Sequence, residues 1–154
     1  CLKLLKTFEL NYKKAPQFKN LFPIFEDILN QKEKKLSKFI EFSLIKVSNY
    51  LGINTKFIFS SEIDKDNDLK AQSKLIDICQ RLKARFYISA INGIKLYDKK
   101  KFQENNISLS FLDSEIIKYQ QSKDKFLSHL SIIDVMMYND VSNIKKMLKK
   151  YKFV

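Results

Sequence analysis

The sequence predicts an α/β fold: a helical amino-terminal third, then a small parallel three-stranded sheet with crossover helices, then a carboxyl-terminal helical segment. Three observations lead there. Apolar residues recur at helical spacing through residues 1–50. Residues 56–91 read as a strand, a helix and a second strand, with a polar turn after each strand. Ile107-Ser108-Leu109-Ser110-Phe111 alternates apolar and polar as a third, half-buried strand does. A length of 154 residues with 45% hydrophobic content suits one domain, residues 1–154, with a core of its own.

Taken in order, Leu4, Leu5, Phe8 and Tyr12 share one helical face, and that pattern stops at Ala15-Pro16. Phe18, Leu21, Phe22, Phe25, Ile28 and Leu29 hold helical period across Pro23, which predicts a kink or a break into two short helices. Leu36, Ile40, Leu44, Val47 and Leu51 stripe a third helix, broadened by Phe39 and Phe42. Gly52 suits a left-handed cap at its end, with Ile53 closing the apolar contact. Lys56-Phe57-Ile58-Phe59 is short, apolar and aromatic and reads as the first strand, ending at Ser60-Ser61-Glu62. Asp64 to Asp68 sets oxygens at alternating positions like the opening of a calcium loop. Leu69 and Leu75 stand where that loop needs Gly and Glu, so a solvated loop with Asp68 capping the next helix is expected.

Leu75, Ile76, Ile78, Cys79 and Leu82 form the crossover helix, and Arg85-Phe86-Tyr87-Ile88-Ser89 the second strand, with Phe86 and Tyr87 on opposite sheet faces. Residues 99–104 form a short helix, and residues 114–125 a long loop. Residues 130–137 are apolar nearly all round and predict a buried helix. Asn139-Asp140 breaks it, and Val141, Ile144, Leu148 and Tyr151 stripe a last helix whose other face carries Lys145, Lys146, Lys149 and Lys150. Those lysines complement the helix dipole, and they also offer a weak contact to a membrane surface.

The net charge of +12 raises a nucleic-acid reading, yet only Arg81 and Arg85 are arginines among 29 basic residues. Nucleic-acid sites draw on Arg for bidentate and stacking contacts that Lys cannot make, so a solvated lysine surface is the simpler account. No apolar run approaches the length of a membrane span, and no signal peptide is visible. Two cysteines make no disulfide framework, which favours a reduced, cytoplasmic setting. The chain begins at Cys1 rather than Met, which suggests a piece of a longer protein.

Absences prune the chemistry. His129 is the only histidine, and its neighbours Phe126, Leu127 and Leu130 suggest a packing role. With only Gly52 and Gly93, no P-loop and no glycine-rich dinucleotide turn can form. Parallel strands joined by a crossover helix put their post-strand turns on one sheet edge, where open α/β folds bind ligands. Ser60, Ser61 and Glu62 from one turn, with Ser89, Asn92 and Gly93 from the other and Tyr97 nearby, are therefore candidate contacts for hydroxyls or phosphates, as in a sugar-nucleotide site. The same residue types also favour turns for local reasons. Asp98 and Asp134 are the candidate acid/base groups. Asp134 lies among Ile132, Ile133 and Val135, which equally suits a buried, hydrogen-bonded structural carboxylate.

Several segments in register resemble the WbqC-like family of bacterial surface-glycan and O-antigen loci. They are Asn11-Tyr12-Lys13-Lys14-Ala15-Pro16-Gln17-Phe18 with Phe22-Pro23, then Tyr50-Leu51-Gly52-Ile53 followed by Ser60-Ser61-Glu62. Leu75-Ile76-Asp77-Ile78-Cys79 and Leu130-Ser131-Ile132-Ile133-Asp134, preceded by Phe126, complete the set. The family's Tyr-x-Gln stretch is kept as Tyr119 and Gln121, which the resemblance adds to the ligand contacts. Its glycine-rich turn is replaced by Ser89-Ala90-Ile91-Asn92-Gly93, its helix-to-strand glycine by Lys83, and its His-Pro pair by Ile116-Ile117.

The resemblance implies a protein of surface-polysaccharide or glycan biosynthesis, acting as a transferase on a nucleotide sugar or activated acyl donor, with no cofactor named. It also implies that the chain is the carboxyl-terminal portion of a longer protein, lacking a His-Gln-Pro region and incomplete or inactive if that region holds the catalytic histidine. The reading from another class is a non-enzymatic basic module binding nucleic acid through its lysine-rich faces.

Overall fold

The computed structural model describes residues 2–122 and 125–154; Cys1, which carried part of the expectation of a longer protein, lies outside the described residues. In order, the elements are α1 (Leu2–Tyr12), α2 (Phe18–Asn30), α3 (Leu36–Leu51), α4 (Ala71–Arg81), β1 (Phe86–Ala90), α5 (Lys99–Glu104), β2 (Ser108–Ser114), α6 (Ile132–Tyr138), α7 (Val141–Met147) and β3 (Tyr151–Phe153). Short 3-10 turns occupy Ser60–Glu62 and Ile91–Lys95. The architecture is α/β, with a helical amino-terminal part, a small mixed sheet containing a parallel pair, and helices towards the carboxyl end. Two compact units divide the chain: Cys1–Phe57 with Ile116–Lys150, and Ile58–Glu115 with Tyr151–Val154.

The first unit is a helical assembly. Its core is Leu21, Phe25 and Ile28 of α2, Leu51 of α3, Met136 and Met137 of α6, and Ile144 of α7. α2 runs unbroken through Pro23. Pro23 removes one hydrogen bond to the turn before it, whereas Leu21, Phe25 and Ile28 on the same helix are buried and stabilise it by more than that loss. On α3 the expected stripe is rotated. Phe39, Phe42, Val47 and Tyr50 pack on the core, while Leu36, Ile40 and Leu44 stay exposed, because the two large aromatic rings bury more area than the leucines they displace. Ser131 and Asp140 cap α6 and α7, accepting from the backbone N–H groups of Ile133 and Asn143.

The second unit carries the sheet, in order β1-β2-β3. β1 and β2 are parallel, with Phe86 opposite Ser108 and Ala90 opposite Leu112. The chain crosses between them through the 91–95 turn and α5. Leu109 and Phe111 of β2 pack with Ile76 and Cys79 of α4 and Phe102 of α5. Tyr87 lies on that face and Phe86 on the other, 73% exposed, as alternation requires.

Several expectations are corrected. Residues 56–59 are irregular, so the parallel pair is β1 with β2 and its crossover helix is α5, not α4. The third strand instead comes from the carboxyl terminus. α7 ends at Met147, so Lys149 and Lys150 do not extend a basic helix face, and Tyr151–Phe153 pairs antiparallel to β2 with Leu112 opposite Phe153. Reciprocal 2.9 Å bonds between Phe111 and Val154 extend that ladder, satisfying an edge that residues 56–59 leave unpaired. Asp68 does not cap α4; the residue before that helix is Lys70. His129 is exposed rather than packed, in a left-handed backbone conformation with φ of 58°.

Three helices end in the same way. After α3, the Gly52 N–H bonds the Asn49 carbonyl at 3.0 Å and the Ile53 N–H bonds that of Ser48 at 2.8 Å, with Gly52 at φ 66°. Lys83 (φ 53°) with Ala84 closes α4, and Asn106 (φ 57°) with Ile107 closes α5, by the same pair of bonds. This is the Schellman arrangement, and each time the residue after the left-handed one is apolar and turns back to the core. Glycine adopts that conformation freely; lysine does so at a cost of about 1 kcal/mol. Lys83→Gly is therefore expected to stabilise the protein by about 1 kcal/mol, and Gly52→Ala to destabilise it by a similar amount, both read from urea unfolding midpoints. An unchanged or lower midpoint for Lys83→Gly would contradict the assignment.

Candidate functional site

A carboxylate is costly to bury unless donors surround it, so the partners of Asp134 define the best-built polar site in the first unit. Asp134 is the third residue of α6, flanked by apolar positions that draw the helix into the core, and it is only 6% exposed. Three side chains donate to it. The Tyr119 hydroxyl lies 2.6 Å and the Gln121 amide 3.2 Å from Oδ1, while the Tyr12 hydroxyl lies 3.1 Å from Oδ2.

Each donor is held by its own packing. Leu5 anchors α1, and along that helix Phe8 stacks on Tyr12 at 5.9 Å and on Phe25 at 5.6 Å, which fixes the Tyr12 ring. Tyr119 meets Phe126 edge-on at 5.5 Å. Gln121 grips the irregular segment that carries it: its Nε2 donates to the Leu127 carbonyl at 3.0 Å, and its Oε1 accepts the Leu127 N–H at 2.8 Å. One amide thus closes a loop and supports the carboxylate.

Beside this cluster is a pocket of about 250 Å³. α1 supplies Leu4, Thr7, Phe8, Asn11 and Tyr12 to its wall; α6 supplies Asp134 and Tyr138; the irregular segment supplies Gln121, Ser122, Leu127 and Leu130. Tyr12 and Tyr138 meet at 6.2 Å, so aromatic surface borders the carboxylate directly. Burial, followed by the Asp134 charge, pushes the Tyr12 phenol up to about 12. Burial, followed by the hydrogen bond to Asp134, pushes the Tyr119 phenol up to about 12 as well. Both phenols therefore keep their protons and act as donors to Asp134 through neutral and alkaline pH.

The expected site residues fall into two groups. Tyr119, Gln121 and Asp134 belong to the first unit and meet there. Ser60, Ser61, Glu62, Ser89, Asn92, Gly93, Tyr97 and Asp98 belong to the second unit. Ser60, Ser61 and Glu62 form an exposed 3-10 turn after a segment that is not a strand. Asn92 is exposed and Gly93 buried in the turn following β1. A Cβ at Gly93 would come within 2.5 Å of the Ser89 hydroxyl and 3.2 Å of the Tyr97 ring, so its open face is filled by the protein's own side chains. The Tyr97 ring also packs against Tyr87 and Phe102. Asp98 is the N-cap of α5, accepting the Lys100 N–H at 2.9 Å.

Tyr12 is the contact that sequence reasoning missed. By helical period its ring falls on the apolar face of α1, although it stands in one of the segments that resemble the WbqC-like family. Three such segments, around Tyr12, Tyr119 and Asp134, converge on one carboxylate. Among the described residues no His, Cys, Asp or Glu cluster could hold a metal ion, and no helix is long and apolar enough to cross a membrane.

Two measurements check this cluster. Asp134→Ala strips three donors of their acceptor and is expected to destabilise the protein by about 3 kcal/mol. For pH, the folded phenols titrate near 12 and the unfolded ones near 10.0. The folded state thus holds more protons between those values, and stability present below pH 10.0 is lost as pH rises towards about 12. Tyr12→Phe should lose stability less steeply than the wild type over that window in thermal unfolding; equal slopes would contradict the assignment.

The model of the WbqC-like protein family matches residues 2–146. No curated protein and no solved structure matches the chain. The family match takes in nearly the whole chain, including all three segments that meet at the carboxylate, and the chain belongs to the WbqC-like protein family.

Proposed function

We propose that this chain serves bacterial surface-polysaccharide or glycan biosynthesis as a transferase, and that the first-unit pocket receives the sugar ring of its substrate. Membership of the WbqC-like family supports the pathway, as the resemblance implies. The pocket supports the ring. A sugar offers an apolar C–H face and several hydroxyl donors, and it is met here by aromatic walls next to a carboxylate.

The observation that carries the proposal is Asp134, buried and fixed by three donors at the edge of an aromatic pocket. A volume of about 250 Å³ is below the range of roughly 300–1,000 Å³ for drug-sized ligands and suits one ring rather than a whole nucleotide sugar. Among the described residues no Lys or Arg lines the pocket, so the phosphates of an activated donor are proposed to stay outside it.

Thermal unfolding against a panel of monosaccharides and nucleotide sugars tests the reading. A true ligand at a hundredfold excess over its dissociation constant should stabilise the wild type by about 2.7 kcal/mol and leave Asp134→Asn nearly unchanged. No stabilisation by any sugar or nucleotide sugar would overturn it.

A further inference from the structure

Hydrogen-bond direction in the pocket narrows the ligand further. The hydroxyl proton of Tyr12 is committed to Asp134, which leaves oxygen lone pairs for a ligand. The Thr7 hydroxyl donates to the Lys3 carbonyl at 2.9 Å, and the Asn11 amide nitrogen donates to the Thr7 carbonyl at 2.7 Å. The Asn11 side-chain oxygen is left to accept. The Gln121 amide is engaged with Leu127 in both directions and with Asp134. Tyr12, Asn11 and Asp134 thus offer lone pairs, Asp134 adds a negative charge, and among the described residues no Lys or Arg lines the wall.

A ligand matched to such a wall brings donors and positive charge. An ammonium group has three donors, no acceptor and one positive charge, and an aromatic border favours it further. A phosphate or carboxylate would meet the like charge of Asp134, with only neutral donors such as the Ser122 and Tyr138 hydroxyls to offset it among the described lining residues. We propose that the pocket selects a primary amine, and specifically that the sugar ring it receives carries a free amino group. This rests on the sugar-pocket reading above. Asp134 pairs with the ammonium, Asn11 accepts one of its protons, and Tyr12 and Tyr138 border the ring.

The test is titration calorimetry of the full chain with four probes of similar size: glucosamine, N-acetylglucosamine, glucose and cyclohexylamine. Glucosamine should bind at least about tenfold more tightly than glucose or N-acetylglucosamine, the difference one charge-assisted hydrogen bond makes. Asp134→Asn should remove that preference. Because that variant strips a buried charge and can unfold, Asn11→Leu serves as the second variant; Asn11 is exposed on α1, and its loss should weaken glucosamine several-fold and glucose little.

If glucose or N-acetylglucosamine binds as well as glucosamine, amine selection is overturned while a sugar pocket stands. If cyclohexylamine matches glucosamine and the neutral sugars do not bind, amine selection stands and the glycan reading falls. Failure of all four probes overturns amine selection, and the nucleotide-sugar panel then decides the sugar pocket separately.

Discussion

The buried carboxylate of Asp134 is the constraint on which the first unit turns. A charged group in an apolar setting either collects hydrogen bonds or disrupts the fold, and here it collects them from parts of the chain that share no regular structure. One donor is the last residue of α1, and two stand in a segment with no helix or strand of its own. That irregular segment has its place because Tyr119 and Gln121 answer a charge that must be answered. The aromatic and aliphatic walls of the pocket then follow from where these donors have to stand.

What was legible in the sequence was what depends on local chemistry. Gly52 followed by Ile53 specified the end of α3, because only a left-handed residue followed by an apolar one completes that pair of bonds. The short helix Lys99–Glu104 was visible with its bounds, and β1 and β2 were placed to within a few residues. Lys83 stands where the resemblance places a glycine, and its positive φ agrees.

What was not legible depends on choosing between partners far apart in the chain. Lys56-Phe57-Ile58-Phe59 has the composition of a strand, and Tyr151-Lys152-Phe153 has it equally, but β2 takes only the latter at its free edge. The rotation of α3 was hidden for a similar reason: a leucine stripe and a phenylalanine pair both fit helical period, and the neighbouring helices decide which faces inward. The site followed the same rule. Asp134 was readable as buried and hydrogen-bonded, whereas Tyr12 as its partner could not be deduced from spacing, because 122 positions separate the two.

That separation bears on how the chain is made. The contacts completing the first unit join its opening helix to a residue made 122 positions later, with most of the second unit encoded between them. At synthesis rates of about 5–20 residues per second, α1 waits roughly 6–24 s before Asp134 exists to bond with it. The sheet also waits, since its third strand, Tyr151–Phe153, follows β2 only after residues 116–150 of the first unit. The first unit therefore cannot be completed until most of the second has been made, nor the second until the first has been made. A nascent chain halted short of residue 134 would lack Met136, Met137 and Ile144 to cover the apolar faces of α2 and α3, so the synthesis of α6 and α7 is the step that closes the first unit's core.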